Sequence, residues 1–279
     1  MTDRSPTELE SEGVAPATPS DRAPHAPPDP LAAIHLEDVV KSFGRGDERI
    51  VALDRLTLDV APGEFLCLVG ASGCGKSTLL NLIAGLDGAT AGTVDTRAPS
   101  TLMFQEAALF PWLTVAGNIA LALKLRGIPK KERPERIEAL LRSVQLAGFG
   151  DKRPHELSGG MRQRVAIARA FAQDVDILLM DEPFGALDAM TRDMLHDELE
   201  RLWVDRNLTV VFVTHNVREA VRLGDRVVLL SSRPGRVIET FDVDTPRPRR
   251  IDTPEVSALA RDITSRLREE VRRHATDLH

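Results

Sequence analysis

The sequence predicts an α/β protein built on a parallel β-sheet, with an antiparallel β subdomain and an all-helical insertion. Continuous apolar runs occur at Phe65–Val69 (FLCLV), Ile177–Met180 (ILLM) and Thr209–Val213 (TVVFV), and such runs are typical of parallel strands that are buried on both faces. Residues 34–60 instead alternate between apolar and polar positions, as antiparallel strands do. Residues 110–150 carry apolar side chains at helical spacing, which indicates helices inserted between the sheet strands.

A glycine-rich segment, GASGCGKST, joins the first apolar run to a helical pattern. Glycines let successive backbone N–H groups point at phosphate oxygens, and the positive end of the following helix favours an anion. We expect Lys76 to reach the β- and γ-phosphates and the Ser77 hydroxyl to bind Mg²⁺. A glycine-rich turn without a ligand is the alternative, but strand, loop, lysine, serine and helix together predict a P-loop nucleotide site. Its predicted nucleotide-binding residues are Gly70, Ala71, Ser72, Gly73, Cys74, Gly75, Lys76, Ser77 and Thr78.

The composition is that of a globular protein. The chain has 279 residues, 42% hydrophobic and 28% charged, with a net charge of −6. It contains neither an uninterrupted apolar run of about 18 residues, as a membrane span requires, nor a secretory signal pattern, so we expect a cytoplasmic protein. The negative net charge argues against nucleic acid as a general partner.

The two cysteines are expected to be free thiols in a reducing compartment. Cys67 lies in a predicted buried strand and Cys74 lies within the phosphate loop. We therefore expect a maleimide to alkylate Cys74 unless Mg-ATP protects it, and Cys67 to resist until the protein unfolds.

The first segments of the chain differ in composition. Residues 1–30 contain seven prolines and no aromatic residue, which predicts a disordered tail.

Phe43 follows the first alternating stretch at a turn, and both core packing and stacking on a base remain open for it. Residues 88–100 are polar and are predicted as turns, and Gln105 ends a short predicted strand with an exposed amide.

A pair of adjacent glycines follows the helical insertion. Within that insertion, Pro129 and Pro134 mark a break between two helices. The segment LSGGMRQR begins at Leu157, and Ser158 is placed to cap the helix that follows. The glycines at 159 and 160 would allow a ligand to approach the backbone closely. This helix N-terminus is therefore either a capped end without a ligand or a second phosphate-binding surface.

Acidic and imidazole side chains end two of the apolar strands. Asp181 and Glu182 follow Ile177–Met180, and His215 follows Thr209–Val213. The carboxyl ends of parallel strands are where ligands bind in open α/β sheets. We expect Asp181 to hold Mg²⁺, Glu182 to accept a proton from the attacking water and His215 to donate to the γ-phosphate.

With these residues assembled, residues 34–236 resemble the ATP-binding subunits of ABC transporters. In this resemblance Gly70–Thr78 is the Walker A loop, Leu157–Met161 is the signature motif and Leu187-Asp188 is the D-loop. The chain departs from the common pattern with Met161 in place of glutamine and Asn216 in place of aspartate, and its short segment before Gln105 predicts a trimmed antiparallel subdomain. The roles implied are base stacking for Phe43, nucleotide contact for Ser158, Gly159 and Gly160, catalysis for Gln105, Glu182 and His215, and Mg²⁺ binding for Ser77, Gln105 and Asp181.

The resemblance also implies an organisation. It places an ABC ATPase domain at residues 31–232, with a helical subdomain at about 106–160, and leaves residues 233–279 as a C-terminal extension with an amphipathic helix, whose arginines are expected to face solvent. Two copies are expected to pair head to tail, with ATP on Walker A of one covered by the signature turn of the other. The helical subdomain is expected to transmit motion to membrane permease subunits.

Three functions follow as candidates. The segments FQEAALFPWLTVAGNI, DEPFGALDAMTRDML and LSSRPGRV resemble importers of nitrate, taurine and aliphatic sulfonates, which predicts an importer ATPase at the cytoplasmic face of the membrane, served indirectly by a solute-binding protein. One alternative is a soluble ABC ATPase that acts on nucleic acid or ribosomes, which the single cassette and lack of sustained heptads disfavour. Another is a regulatory ATPase that does not drive transport.

Overall fold

The structure is a computed structural model that describes residues 32–185 and 187–277. The tail predicted at residues 1–30 lies outside the described residues. The strands are β1 (Ile34–Phe43), β2 (Ile50–Val60), β3 (Phe65–Val69), β4 (Ala91–Thr96), β5 (Ser100–Met103), β6 (Ile177–Asp181), β7 (Thr209–Val213), β8 (Arg226–Leu230) and β9 (Val237–Asp242). The α-helices are α1 (Lys76–Ile83), α2 (Val115–Leu125), α3 (Arg133–Ser143), α4 (Gly159–Phe171), α5 (Ala189–Arg206), α6 (Val217–Leu223) and α7 (Pro254–Asp277).

A six-stranded sheet forms the centre of the molecule, in the order β5-β6-β7-β3-β8-β9. Its first five strands are parallel, and β9 is antiparallel to β8. Successive residues of β3 enter two different hydrophobic clusters, with Phe65 and Cys67 on one face of the sheet and Leu66 and Leu68 on the other. The prediction of parallel strands buried on both faces is therefore confirmed.

A smaller antiparallel sheet, in the order β2-β1-β4, packs against one face of the central sheet through Ile34 and Leu53. Its strand β4 lies inside residues 88–100, which were predicted as turns, and that prediction is wrong. The strand was missed because β4 pairs only with β1 and has exposed or half-buried side chains throughout. Its letters, AGTVDT, therefore carry no strong alternation of apolar and polar residues.

The helical insertion places α2 and α3 between β5 and β6 along the chain. Thr114 caps α2, since its hydroxyl accepts a hydrogen bond from the Gly117 N–H at 3.0 Å. Ile119 of α2 and Leu141 of α3 are buried in the same cluster as Val165 of α4. The insertion is thus packed onto α4, the helix that follows the LSGG segment.

Residues 233–279 continue the central sheet and cover it. Strand β9 pairs with β8, with one register shift between Leu229 and Leu230, and Val256, Ala260 and Ile263 of α7 are buried in the main cluster. The predicted amphipathic helix is present and begins at Pro254. In the part of the chain that the structure describes, no helix combines the length and the apolar character needed to cross a membrane.

Candidate active site

The phosphate loop connects β3 to α1, and its backbone can be built only with glycine at position 75. Gly75 has φ +100°, and a Cβ atom there would lie 2.8 Å from the carbonyl oxygen of Ala52. A side chain would meet both left-handed strain and a backbone clash. The loop is therefore held closely against β2.

Lys76 is buried within this loop. Its Nζ donates to the carbonyl oxygens of Gly70, at 2.9 Å, and Ala71, at 3.0 Å. Both acceptors are neutral, and among the described residues no carboxylate forms an ion pair with this lysine. Its positive charge is therefore available to an anion that enters the loop.

Asp181 ends β6 beside the start of α1. Its carboxylate accepts a hydrogen bond from the Ser77 side chain, and burial raises the pKa of Asp181 above its ordinary value. A serine hydroxyl and a carboxylate are the hard oxygen ligands that Mg²⁺ takes in nucleotide sites. The two residues therefore fit the predicted Mg²⁺ role.

Glu182 contacts two other predicted catalytic residues. Its Oε2 lies 3.0 Å from His215 Nδ1 and accepts a hydrogen bond from Gln105 Nε2 at 3.3 Å. Glu182 itself has φ +46°, and its backbone N–H donates to the Val213 carbonyl at 2.9 Å. A non-glycine residue held in the left-handed region at a strand end is a feature of functional sites.

Phe43 is 46% exposed, and Lys41 Nζ lies 5.0 Å from the centre of its ring. Core packing, one of the two open alternatives for this residue, is therefore wrong. An exposed ring on the wall of a cleft remains available for stacking on a base.

These side chains share one cleft of about 480 Å³. It is lined by Phe43, Ile50, Ala52, Ser72, Gly73, Gly75, Lys76, Ser77, Thr78, Gln105, Asp181, Glu182, His215 and Arg233. Sequence reasoning did not identify Ile50, Ala52 or Arg233 as part of it. For Arg233 a signal was present, because the Pro-Gly turn after β8 carries an arginine on each side.

Cys74 is fully buried beneath the loop, and burial raises the pKa of its thiol. Cys67 is also fully buried, and burial raises its pKa too. Because a maleimide needs an accessible thiolate, the expectation that Cys74 reacts in the absence of nucleotide is wrong for this conformation. Cys74 belongs to the phosphate-loop sequence, but its side chain is not exposed on the surface of the loop.

Ser158 caps α4 as predicted, with its hydroxyl accepting from the Met161 N–H at 3.2 Å. Ser158 and Gly159 are exposed and Gly160 is half-buried, and none of the three lines the cleft. One copy of the chain thus brings together the Walker A, Gln105, Asp181, Glu182 and His215 groups but does not bring the signature turn to them.

A buried polar network, which the sequence did not reveal, supports the segment that carries His215. His196 Nε2 lies 2.7 Å from Glu219 Oε1, and Arg222 Nη1 donates to His196 Nδ1 at 2.8 Å. Because Nδ1 accepts in this arrangement, Nε2 carries the proton and donates to Glu219. Glu219 also accepts from the hydroxyl of Thr214, the residue before His215.

The family model described as ABC transporter matches residues 53–185. An uncharacterised ABC transporter ATP-binding protein of Methanocaldococcus jannaschii is 46% identical over 246 residues, covering 85% of this chain and 92% of that protein. The aliphatic sulfonates import ATP-binding protein of Bacillus subtilis is 42% identical over 241 residues, covering 84% and 93%. The bicarbonate transport ATP-binding protein of Synechococcus elongatus is 48% identical over 229 residues, covering 78% of this chain but only 34% of that longer protein.

A solved structure is similar in fold. The dimeric post-hydrolysis state of an ATP-binding cassette, bound to ADP and Pi, matches with a TM-score of 0.71 and 33% sequence identity. The match covers 76% of this chain and 100% of that one.

Proposed function

The chain belongs to the family of ABC transporter ATP-binding proteins, and we propose that it hydrolyses ATP to energise a membrane importer. The observation that carries the proposal is the convergence of Gln105 and His215 on Glu182, in the cleft that also contains Lys76. A site that only bound nucleotide would have no need of a carboxylate on which an amide and an imidazole both converge.

ATP binding is assigned to the phosphate loop and Phe43. The backbone N–H groups of the loop and the N-terminus of α1 bind the phosphates. Lys76 adds a point charge at the β- and γ-phosphates, and the Phe43 ring stacks on the base. In the relative of known structure the ligands are ADP and Pi, the products of this reaction.

Hydrolysis is assigned to Glu182. Its carboxylate accepts a proton from water as that water attacks the γ-phosphorus, and Gln105 and His215 hold the carboxylate in place through Oε2. Bound Mg²⁺ would neutralise charge that develops on the phosphate oxygens. Ser77 and Asp181, with Gln105, are the residues proposed to hold it.

A second copy of the chain is proposed to complete the site. Ser158, Gly159 and Gly160 lie outside the cleft of their own subunit, yet a capped helix N-terminus with two glycines suits a phosphate. Head-to-tail pairing would bring this turn to the ATP on the partner's phosphate loop. The dimeric cassette with a similar fold supports this arrangement.

The relatives also suggest partners and a location. We propose that the chain binds permease subunits at the cytoplasmic face of the membrane and that a solute-binding protein serves the same importer. The names of the relatives describe import of aliphatic sulfonates and transport of bicarbonate, so we propose a small solute such as a sulfonate, taurine, nitrate or a related compound. A soluble ABC ATPase that acts on nucleic acid would need a surface that binds a polyanion. The net charge of −6 disfavours that alternative.

Purification of the tagged chain from membranes tests this proposal. We expect a two-subunit permease to co-purify with the chain, and the ATPase activity of the resulting complex to rise when a loaded solute-binding protein is added. A chain that hydrolyses ATP but recovers no membrane subunit would support the alternative, a soluble or regulatory ABC ATPase that does not drive transport.

A further inference from the structure

The loop between β8 and β9, Ser231–Arg236, packs directly on the nucleotide cleft. The Gly235 N–H donates to the Ala52 carbonyl at 2.8 Å, and the Gly235 carbonyl accepts from the Asp54 N–H at 3.1 Å. A Cβ atom on Gly235 would lie 2.2 Å from the Cys74 carbonyl oxygen. Only glycine permits this approach, so the Ser231–Arg236 loop and the phosphate loop are in backbone contact.

Arg233 extends from this loop over the glycines of the phosphate loop. Its Nε donates to the Gly73 carbonyl at 3.3 Å, and Nη2 would lie 3.4 Å from a Cβ atom on Gly73. The side chain lines the cleft together with Lys76 and Phe43. A guanidinium has five N–H donors, and the contact with Gly73 uses one of them.

Arg233 and Arg236, two arginines of the same loop, have different partners for their charges. Arg236 donates through Nε to Asp54 Oδ2 at 3.0 Å and so forms an ion pair. Within residues 32–185 and 187–277, no carboxylate pairs with Arg233. An arginine that pairs with none of the described carboxylates and lies on a neutral carbonyl at a phosphate loop is positioned to receive an anion.

The C-terminal helix holds the other side of the same loop. Glu270 of α7 is half-buried, and its Oε1 accepts a hydrogen bond from the Ser232 N–H at 3.1 Å. Ser231 Oγ accepts from the Arg236 N–H at 2.8 Å, which closes the loop on itself. Arg233 is therefore presented by a loop that is fixed by β2, by the phosphate loop and by α7.

We propose that Arg233 is a further nucleotide-binding residue that places a second positive charge on the polyphosphate of ATP, and that Glu270 is its positioning residue. The inference rests on the proposed function, because it concerns the same cleft. The competing interpretation is that Arg233 only braces the phosphate loop through Gly73.

Equilibrium binding of fluorescently labelled ATP to the full chain separates the two interpretations. Arg233→Gln keeps hydrogen-bond donors for Gly73 but removes the charge, and we expect it to weaken binding by about threefold to tenfold, as for a single partly exposed charge. Arg233→Lys should stay within about twofold of the wild type because it keeps the charge. The matched control Arg236→Gln, from the same loop, should bind as the wild type does.

Salt dependence and Glu270 give two further readouts. The difference between wild type and Arg233→Gln should shrink at high ionic strength, since salt screens the contact. Glu270→Ala should weaken ATP binding in the same direction as Arg233→Gln, whereas Glu270→Gln, which keeps an acceptor for Ser232, should have a smaller effect.

Three results would overturn the inference: wild-type affinity in Arg233→Gln, equal losses in Arg233→Gln and Arg236→Gln, or a loss in Arg233→Lys as large as that in Arg233→Gln. Lys76→Ala in the same assay identifies which proposal has failed. If Lys76→Ala loses affinity while Arg233→Gln does not, only the role of Arg233 is wrong. If neither variant loses affinity, the nucleotide site itself is misplaced.

Discussion

His215 Nδ1 lies 3.0 Å from Glu182 Oε2, so a residue just beyond the end of β7 contacts a residue just beyond the end of the neighbouring parallel strand β6. A carboxylate only accepts hydrogen bonds, and Nδ1 therefore carries the proton in this contact. Nε2 can then donate to a γ-phosphate only if the ring is doubly protonated or turns away from Glu182.

Replacing His215 should slow hydrolysis without preventing nucleotide binding. We expect His215→Ala to lower the turnover number by roughly two orders of magnitude, because Glu182 loses one of its two side-chain contacts. Steady-state ATPase assays measure this change. The control His274→Ala, on α7, should retain wild-type turnover, and an equally fast His215→Ala would remove this residue from the mechanism.

Replacing Lys76 should weaken ATP binding itself. Lys76→Ala removes the buried point charge from a loop that is otherwise built from neutral backbone groups. We expect the dissociation constant of labelled ATP to rise by at least about tenfold, or about 1.4 kcal/mol. Lys124→Ala, at an exposed position on α2, is the matched control and should not change it.

Cys74 should resist a maleimide in the folded protein, with or without Mg-ATP. Its side chain is fully buried, and burial raises the pKa of its thiol, which keeps the reactive thiolate scarce. Mass spectrometry after timed labelling should show both native cysteines unmodified until denaturant is added. Thr93→Cys, on the exposed strand β4, provides an accessible thiol for comparison, and labelling of Cys74 as fast as of that thiol would mean that the loop opens readily.

Asp181 should give the nucleotide-free protein a characteristic dependence of stability on pH. Burial raises the pKa of this carboxyl group above its ordinary value of 3.8, so the folded state binds the proton more tightly than the unfolded state does. Its ionisation therefore lowers stability as pH rises through the interval above 3.8. We expect Asp181→Asn to be more stable than the wild type at neutral pH, with the difference lost as the pH falls below that interval.

Denaturant unfolding at several pH values measures the effect of Asp181→Asn. Asp188→Asn serves as a control of opposite sign, because the Thr191 N–H holds the pKa of Asp188 below its ordinary value. Ionised Asp188 contributes stability that is present above the ordinary pKa and lost as pH falls. Equal responses of the two variants would argue against burial as the cause at Asp181.

The fold and most of the cleft could be predicted because they depend on local patterns. Buried parallel strands give unbroken apolar runs, and the phosphate loop has a fixed order of glycine, lysine and serine. Strand β4 was missed because an exposed edge strand carries little hydrophobic signal. The burial of Cys74 could not be predicted either, since it depends on the path of the loop in three dimensions.

Long-range contacts account for the remaining differences. Arg233 reaches the phosphate loop from a position 160 residues away along the chain, and the Glu270–Ser232 contact joins α7 to the same loop. His196 of α5 and Glu219 of α6 are likewise brought together only by the fold, in a buried polar contact. No local pattern in a single sequence specifies such pairings.

Replacing Glu182 tests the assignment of the general base. In Glu182→Gln the amide keeps the shape of the side chain but cannot take a proton, so ATP binding should persist while turnover falls by roughly two to four orders of magnitude. A wild-type turnover number in this variant would exclude Glu182 as the base.

The association state of Glu182→Gln tests the two-copy active site most directly. Light scattering after size-exclusion chromatography should show an ATP-dependent dimer, because in the proposed arrangement ATP joins Lys76 of one copy to Ser158 of the other and this variant does not hydrolyse it. Adding Ser158→Arg should abolish this dimer while leaving ATP binding at the phosphate loop intact. A Glu182→Gln protein that binds ATP with full affinity and stays monomeric would contradict the proposal that two copies share each nucleotide.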